Sequence, residues 1–321
     1  MRACLTVISS IVAISFLAAA SAAPPEGRGG GGGGGGKDEP TVEVPTTVFI
    51  ERANNQPSQL VVAGSDSSIS QAVYAFSGSP YLHDVVLVSE GHGRALITDR
   101  TANPLPLIVV DFWFAADGTV TSSNARQLLE RPDWGCEALS SDGSRAIWSR
   151  GGTGIVNWID ITTGSSGPLW TFDATQSFTA CDFKSEDPLN GKLHAVVIDS
   201  ASREFRIERI DIAAQSVATV VSPSLDEIRG FAVHYSGSSI DRVAFDDSDG
   251  IRIGSTFSAA ESGSPAIAGG RLPDFYCNGE SLVARAARRR NKSPTIVYAL
   301  QSGSSDTYTS DFNYSQAQTL C

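Results

Sequence analysis

Three aspartates, two histidines and one arginine are the residues of this chain whose chemistry could support a functional site. A histidine beside a carboxylate can transfer protons near neutral pH or help to hold a metal ion. The candidates stand in four separate parts of the sequence: His83, Asp84, Asp133, Arg229, His234 and Asp274. They form a site only if the fold brings these four parts together.

Motifs that identify common enzyme classes are missing from the sequence. A nucleophile elbow requires Gly-x-Ser-x-Gly, and the segment Gly164–Gly167 fails this spacing. There is no His-Glu-x-x-His zinc motif and no phosphate-binding Walker loop. The segment Ser141–Gly143 lacks the residue that a sialidase-type aspartate box places between Asp and Gly. The sequence therefore predicts no catalytic residue and no cofactor.

Two segments concentrate charge of one sign. The segment Asp246–Gly250 carries three carboxylates beside a glycine, and such hard oxygen ligands suit Ca²⁺. It lacks the spacing and the distal Glu of a calcium loop, so a solvated hairpin turn is the favoured interpretation and no metal site is predicted. The second segment is basic and could meet an anionic partner, although a solvated hairpin tip explains it better. Its members are Arg285, Arg288, Arg289, Arg290 and Lys292.

Composition and charge favour an acidic all-β protein. Only 18% of the 321 residues are charged and Met occurs once, which disfavours a helical protein. The formal net charge is −11. An acidic surface repels phosphate backbones, so nucleic-acid binding is not expected.

The first 45 residues differ in character from the rest of the chain. Residues 1–22 have the pattern of a secretory signal peptide, with Arg2, an apolar run and the small residues Ala20-Ser21-Ala22. Residues 23–45 contain eight consecutive glycines, which predicts a flexible linker, either a tether or a plain spacer. We expect a folded domain over residues 46–321, export to the periplasm or the extracellular space, and no membrane span in the mature chain.

Short apolar runs separated by tight-turn residues fill residues 46–321. The runs are four to eight residues long and rich in β-branched and aromatic residues, and Asp-Gly or Asn-Gly pairs separate several of them. Only the segments Ser123–Glu130 and Leu282–Arg290 have a helix-like pattern. A polar or basic residue opens the second run of each repeat, at Arg94, Arg145, Lys192, Arg242 and Ser281. This period of about 40–50 residues is typical of propeller blades.

One repeat resembles a known family. The segment Leu139–Ser149 is similar to the Ser-Pro-Asp-Gly repeat of the TolB-type, WD-repeat-like bacterial propellers, with Ser141 in place of the usual Pro. The segment Ile159–Gly164 is similar to the Asp-x-x-Thr-Gly turn of such blades. The resemblance covers one blade and implies a ring that binds proteins or acts as a scaffold, without any catalytic residue. With residues 46–80 as one more blade, we expect a six-bladed β-propeller of four-stranded antiparallel blades; a pair of β-sandwiches is the alternative.

In such a ring, His83 and His234 fall on or next to the innermost strands. Their side chains could then face the central channel, with Asp84, Asp133, Arg229 and Asp274 near the same rim. A metal or acid–base site at the channel mouth, as in propeller lactonases and hydrolases, is one interpretation. The favoured one is that innermost strands carry polar residues because the channel is wet.

Four cysteines remain after the predicted signal peptide is removed. Cys136 and Cys181 are 45 residues apart, and Cys277 and Cys321 are 44 apart, which is about one blade in each case. An even number of cysteines in an exported protein favours disulfides, and this spacing favours the pairs Cys136–Cys181 and Cys277–Cys321. Free buried thiols are the main alternative, because no Cys-x-x-Cys pair indicates a metal site.

Three function classes remain open. The favoured one is an exported, non-catalytic propeller that binds a protein or an envelope component. The second is a propeller hydrolase or lactonase with a rim site at the channel mouth. The third is a structural or surface-display module carried on the glycine-rich linker.

Overall fold

The computed structural model describes residues 47–51, 57–63, 70–115, 117–132, 135–150, 154–173, 175–182, 191–236, 239–275, 280–285, 295–300, 305–308 and 317–319. These residues form 24 β-strands and one short helix. The strands are arranged in six four-stranded antiparallel sheets, each of which is one blade. The predicted six-bladed, all-β propeller is therefore confirmed.

The blades follow one another along the chain. Blade 1 begins with β1 (Thr47–Glu51), β2 (Ser58–Ala63) and β3 (Ser70–Phe76). Blade 2 contains β4 (Pro80–Ser89), β5 (His92–Asp99), β6 (Leu105–Phe114) and β7 (Val120–Arg131). Blade 3 contains β8 (Glu137–Leu139), β9 (Arg145–Arg150), β10 (Ile155–Asp160) and β11 (Ser166–Thr171). Blade 4 contains β12 (Gln176–Asp182), β13 (Lys192–Asp199), β14 (Phe205–Asp211) and β15 (Ser216–Ser224).

The last two blades and the closing strand complete the chain. Blade 5 contains β16 (Phe231–Ser236), β17 (Ser239–Asp246), β18 (Gly250–Gly254), the helix α1 (Phe257–Ser262) and β19 (Ile267–Ala268). Blade 6 contains β20 (Arg271–Phe275), β21 (Ser281–Arg285), β22 (Thr295–Ala299) and β23 (Ser305–Tyr308). The final strand is β24 (Ala317–Thr319), which returns to blade 1 and pairs with β1.

This returning strand closes the ring. The innermost strands contact one another in the order β4, β8, β12, β16, β20 and β24, and β24 contacts β4. Residues 46–80 therefore supply three strands of blade 1, whereas a whole blade was predicted for this segment from the sequence. The fourth strand comes from the other end of the chain, so the ring is held shut by antiparallel pairing between β1 and β24.

The core lies between neighbouring blades. Alternate residues of a strand point to opposite faces of its sheet, and both faces are covered by the next blades. In β5, Ala95 and Ile97 belong to the core between blades 1 and 2, whereas Leu96 belongs to the core between blades 2 and 3. This double burial explains the almost continuous apolar runs in the sequence.

The polar residues that mark the sequence period lie at or near the start of the second strand in blades 2 to 6. Tight turns precede some of them. Gly143 has φ +66, and a Cβ there would come within 2.8 Å of the Val88 side chain in the neighbouring blade. Glycine is required at this position both by its backbone conformation and by the close approach.

Two segments with a helix-like pattern are extended instead. Residues Ser123–Glu130 lie in β7, and residues 282–285 lie in β21; the rest of that second segment is outside the described residues. The helix α1 was not predicted. Thr256 caps its N-terminus by accepting a hydrogen bond from the Ala259 N–H.

Candidate functional site

His83 lies in a buried polar cluster between blades 2 and 3. Its Nδ1 is 3.0 Å from Glu137 Oε2 and its Nε2 is 2.8 Å from Thr98 Oγ1. Arg131 forms an ion pair with Glu137 and donates a 2.6 Å hydrogen bond to Thr98. Burial lowers the pKa of His83 well below its usual value, and the charges of Arg131 and Arg100 lower it further. These partners make His83 part of a link between two blades.

Asp84 links the same two blades. Its Oδ2 accepts a 2.7 Å hydrogen bond from the Leu139 N–H in β8, and its Oδ1 accepts one of 2.8 Å from the Val85 N–H. The residue is 7% exposed. A buried carboxylate that accepts hydrogen bonds from backbone N–H groups joins the innermost strands of adjacent blades.

Arg229 belongs to a similar link between blades 5 and 6. The N–H groups of Arg229 and Gly230 donate to Asp246 Oδ1 at 2.7 and 2.9 Å, and the Leu272 N–H donates to Asp246 Oδ2 at 2.9 Å. Burial raises the pKa of Asp246 despite these three hydrogen bonds. The Arg229 guanidinium itself is about half exposed and pairs with Glu227 at 2.6 Å.

His234 has a different set of neighbours. It lies on β16, where its Nδ1 is 3.4 Å from Asp241 Oδ2 and its ring centroid is 6.2 Å from that of Phe275. Asp274 lies on β20, opposite Val283 of β21. Asp133 is outside the described residues. His83 therefore lies in blade 2 and His234 in blade 5, and the gathering of the six residues at one channel rim stays a prediction.

A cleft of about 430 Å³ lies at the edge of blade 5, between β17, the end of β18 and Leu300, which follows β22 of blade 6. Its volume is within the range of small-molecule pockets. The lining combines one carboxylate, one guanidinium, a serine and an apolar wall: Asp241, Arg242, Ile253, Gly254, Ser255, Ala266 and Leu300. Asp241 connects this cleft to His234, so one of the two predicted histidines stands beside it.

A disulfide joins blades 3 and 4. Cys136 directly precedes β8, Cys181 lies in β12, and their Cα atoms are 5.4 Å apart. The structure thus contains the predicted Cys136–Cys181 bridge. The predicted partners Cys277 and Cys321 are outside the described residues.

The acidic segment Asp246–Gly250 forms a tight turn between β17 and β18. Asp247 Oδ1 accepts hydrogen bonds from the N–H groups of Asp249 (2.9 Å) and Gly250 (3.1 Å), and its Oδ2 pairs with Arg252. The carboxylate is therefore occupied by partners within its own hairpin. Of the basic segment, Arg285 ends β21 and the others are outside the described residues.

Sequence reasoning missed a second histidine–aspartate pair, in blade 2. His92 Nε2 is 3.0 Å from Asp111 Oδ1, which also accepts a 2.6 Å hydrogen bond from Arg94 Nε. The His92 ring stacks on Trp113 with centroids 4.7 Å apart. A signal was present, because Asp111 is a charged residue inside the apolar run Leu107–Phe114.

Metal-ligand clusters and membrane-spanning helices can be described only for the described ranges. Within them, no group of three His, Cys, Asp or Glu side chains is placed to hold a metal ion. No helix in the same ranges has both the length and the apolar character needed to cross a bilayer.

Comparison with known proteins identifies the fold. No sequence family and no curated protein matches the chain. Among solved structures, TolB from Acinetobacter baumannii is similar with a TM-score of 0.62 and 12% identity over 86% of this chain; the match spans 66% of TolB. A chain of a nidogen/laminin complex is similar with a TM-score of 0.55 and 9% identity, covering 85% of this chain and 98% of that one.

A third similar structure is a Bacteroides fragilis protein assigned as a 6-phosphogluconolactonase. Its TM-score is 0.51 and its identity 9%, with 89% of this chain and 100% of that chain covered. Identities this low carry information on the fold and none on activity. The chain has a TolB-like β-propeller fold.

Proposed function

We propose that this chain is an exported, non-catalytic propeller that binds a protein or an envelope component. The observation that supports the proposal is the 430 Å³ cleft at the edge of blade 5, with a carboxylate and a guanidinium beside an apolar wall. Sites that recognise ligands combine apolar surface with a few polar groups that fix orientation. By contrast, His83 contacts Glu137 and Asp84 accepts a hydrogen bond from Leu139, so these two predicted site residues link blades 2 and 3.

Export is part of the same proposal. Residues 1–22 have the pattern of a signal peptide, and the Cys136–Cys181 disulfide is of a kind that persists in oxidising compartments. The glycine-rich segment of residues 23–45 would act as a flexible tether for the propeller. In this proposal the propeller domain of residues 46–321 carries the binding activity.

A hydrolase or lactonase is the second candidate, and His234 beside Asp241 at the cleft is the observation that favours it. The pair is a weak one for catalysis. The two atoms are 3.4 Å apart, and 46% of the Asp241 side chain is exposed to solvent. Acid–base catalysis works best where the reacting groups are closely held and water is excluded.

Affinity capture with the disulfide-bonded mature chain tests the proposal. We expect it to retain one component of the exported fraction, which then binds the purified propeller in direct titration. Ser255→Trp fills the cleft at an exposed position and should abolish this binding, whereas Ser216→Trp on the outer strand of blade 4 should not. The proposal is wrong if the purified protein hydrolyses lactones or glycosides and His234→Ala removes that activity.

A further inference from the structure

The basic residue at or near the start of the second strand faces an aspartate across the sheet in blades 2, 3 and 4. Directly opposite it on the third strand, the register places an aspartate. The three pairs are Arg94 with Asp111, Arg145 with Asp160, and Lys192 with Asp211. Opposite charges at directly opposed positions of antiparallel strands stabilise a sheet. In blade 2 the two side chains form an ion pair, with Arg94 Nε 2.6 Å from Asp111 Oδ1.

Blade 5 keeps the basic residue but has no aspartate at the opposite register position. Val243 pairs with Gly254, so continuing the antiparallel register by one residue places Arg242 opposite Ser255. The ion-pair contact that Arg242 makes within the described ranges is to its neighbour Asp241, with Nε and Oδ2 3.7 Å apart. That separation is too long for a good hydrogen bond. The side chains are 34% and 46% exposed, so solvent screens their attraction.

The free end of the Arg242 guanidinium is available to a ligand. In the part of the chain that the structure describes, neither Nη atom has an acceptor within hydrogen-bonding distance. Arg242 and Ser255 line the same cleft, next to the apolar side chains of Ile253 and Leu300. The two Nη groups present parallel donors whose geometry matches a carboxylate. A ligand could therefore supply the carboxylate that blade 5 lacks opposite Arg242.

The Asp241 carboxylate in the same cleft indicates which class of ligand would fit. Asp241 offers carboxylate oxygens and no donor, so it selects an N–H close to the ligand's carboxylate. The last residue of a polypeptide carries both groups on one Cα, together with a side chain that can contact the apolar wall. An internal peptide segment lacks the terminal carboxylate, and a simple fatty or sugar acid lacks the N–H.

We propose that the blade 5 cleft binds the C-terminal residue of a partner polypeptide. Its α-carboxylate binds Arg242, its backbone N–H donates to Asp241, and an apolar side chain packs against Ile253, Ala266 and Leu300. This inference rests on the proposed function, because it takes the partner to be a protein. Capture of a C-terminal carboxylate is an established mode of peptide recognition.

Fluorescence anisotropy with labelled tetrapeptides tests the inference on the full mature chain. The probes end in Leu, Val or Phe, and each is made with a free C-terminal carboxylate and as the C-terminal amide. We expect saturable binding of at least one free acid, and binding at least about tenfold weaker for its amide, because the amide removes a charge-assisted hydrogen bond. Equal affinity for acid and amide, or no saturable binding by any probe, overturns the inference.

Substitutions locate the site. Arg242→Gln should weaken binding of the free acid by about tenfold and leave amide binding unchanged. Arg126→Gln, on the outer strand of blade 2, removes the same charge and should change neither affinity. If Arg242→Gln binds the acid as well as the parent protein does, the inference is wrong. If Arg242→Gln still captures the native partner, the proposed function stands and only the terminal-residue inference is wrong. If the parent protein captures no partner, the proposed function is wrong as well.

Discussion

The buried imidazole of His194 predicts that the protein loses stability in mild acid. His194 lies on β13 and is 1% exposed. Its ring centroid is 5.5 Å from that of Phe257, and the Tyr235 hydroxyl is 3.5 Å from Nδ1. Within the described ranges, Nε2 is buried without a hydrogen-bond partner. Burial, followed by the charges of Arg209 and Lys192, lowers the pKa of His194 to about 3.

The sign and size of the effect follow from proton linkage. The pKa of His194 is lower in the folded protein than its ordinary value of 6.5, so the unfolded chain binds more protons in acid. The contribution of the neutral His194 imidazole to the free energy of unfolding is fully present above about pH 6.5. As the pH falls below this value, the contribution decreases by about 1.4 kcal/mol per pH unit until about pH 3. At about pH 4.5 this one group accounts for a loss of about 3 kcal/mol. His83 adds a loss of the same sign, since burial lowers its pKa as well.

His194→Phe removes the titrating imidazole and keeps an aromatic ring beside Phe257. We expect the free energy of unfolding to change by less than about 1.5 kcal/mol at neutral pH. Between neutral pH and about pH 4.5, the difference in free energy of unfolding between variant and parent should shift in favour of the variant by about 2–3 kcal/mol. Urea unfolding followed by fluorescence across this pH range measures both. Tyr235→Phe is the matched control, because it keeps the imidazole and should keep the parent pH dependence. Parallel pH profiles for parent and His194→Phe would refute the reasoning.

Three further predictions concern the ring and its export. Replacing Cys136 and Cys181 by Ser opens a 45-residue loop, and in the chain-entropy model this should lower the free energy of unfolding by about 4 kcal/mol in urea titrations. Glu137→Gln leaves a buried guanidinium without its ionic partner and should cost about 3–5 kcal/mol, whereas the exposed Glu130→Gln should cost less than about 0.5 kcal/mol in the same assay. N-terminal sequencing of the exported protein should begin near Ala23, and an intact first residue would contradict export.

The repeating part of the fold could be predicted because each blade contains a local signal. Arg94, Arg145, Lys192 and Arg242 recur at nearly constant spacing, since each lies at or near the start of the second strand of its blade. The closing strand β24 carried no such signal. It is three residues long and pairs with a strand from the opposite end of the chain, so local pattern and turn chemistry say nothing about it. The six-residue helix α1 is likewise too short to show helical periodicity.

The candidate site could be predicted only in part. His83 and His234 were correctly placed on innermost strands, because the repeat period fixes the strand. Their partners could not be predicted, since these depend on side-chain direction and on contacts between blades. Glu137 and Asp241 meet the two histidines, and neither stands in a motif. The significance of Arg242 emerged only from the strand register, which shows that Asp111, Asp160 and Asp211 have no counterpart in blade 5.

Site-specific photo-crosslinking in the source cells tests most directly whether the cleft of blade 5 is a binding site for a protein. A photoreactive residue replaces Ser255, which is exposed and lines the cleft, and in a control protein it replaces the exposed Ser216 of blade 4. We predict one discrete protein adduct in the exported fraction from position 255 and none from position 216. No adduct at position 255, or the same adducts from both positions, would contradict a protein-binding cleft.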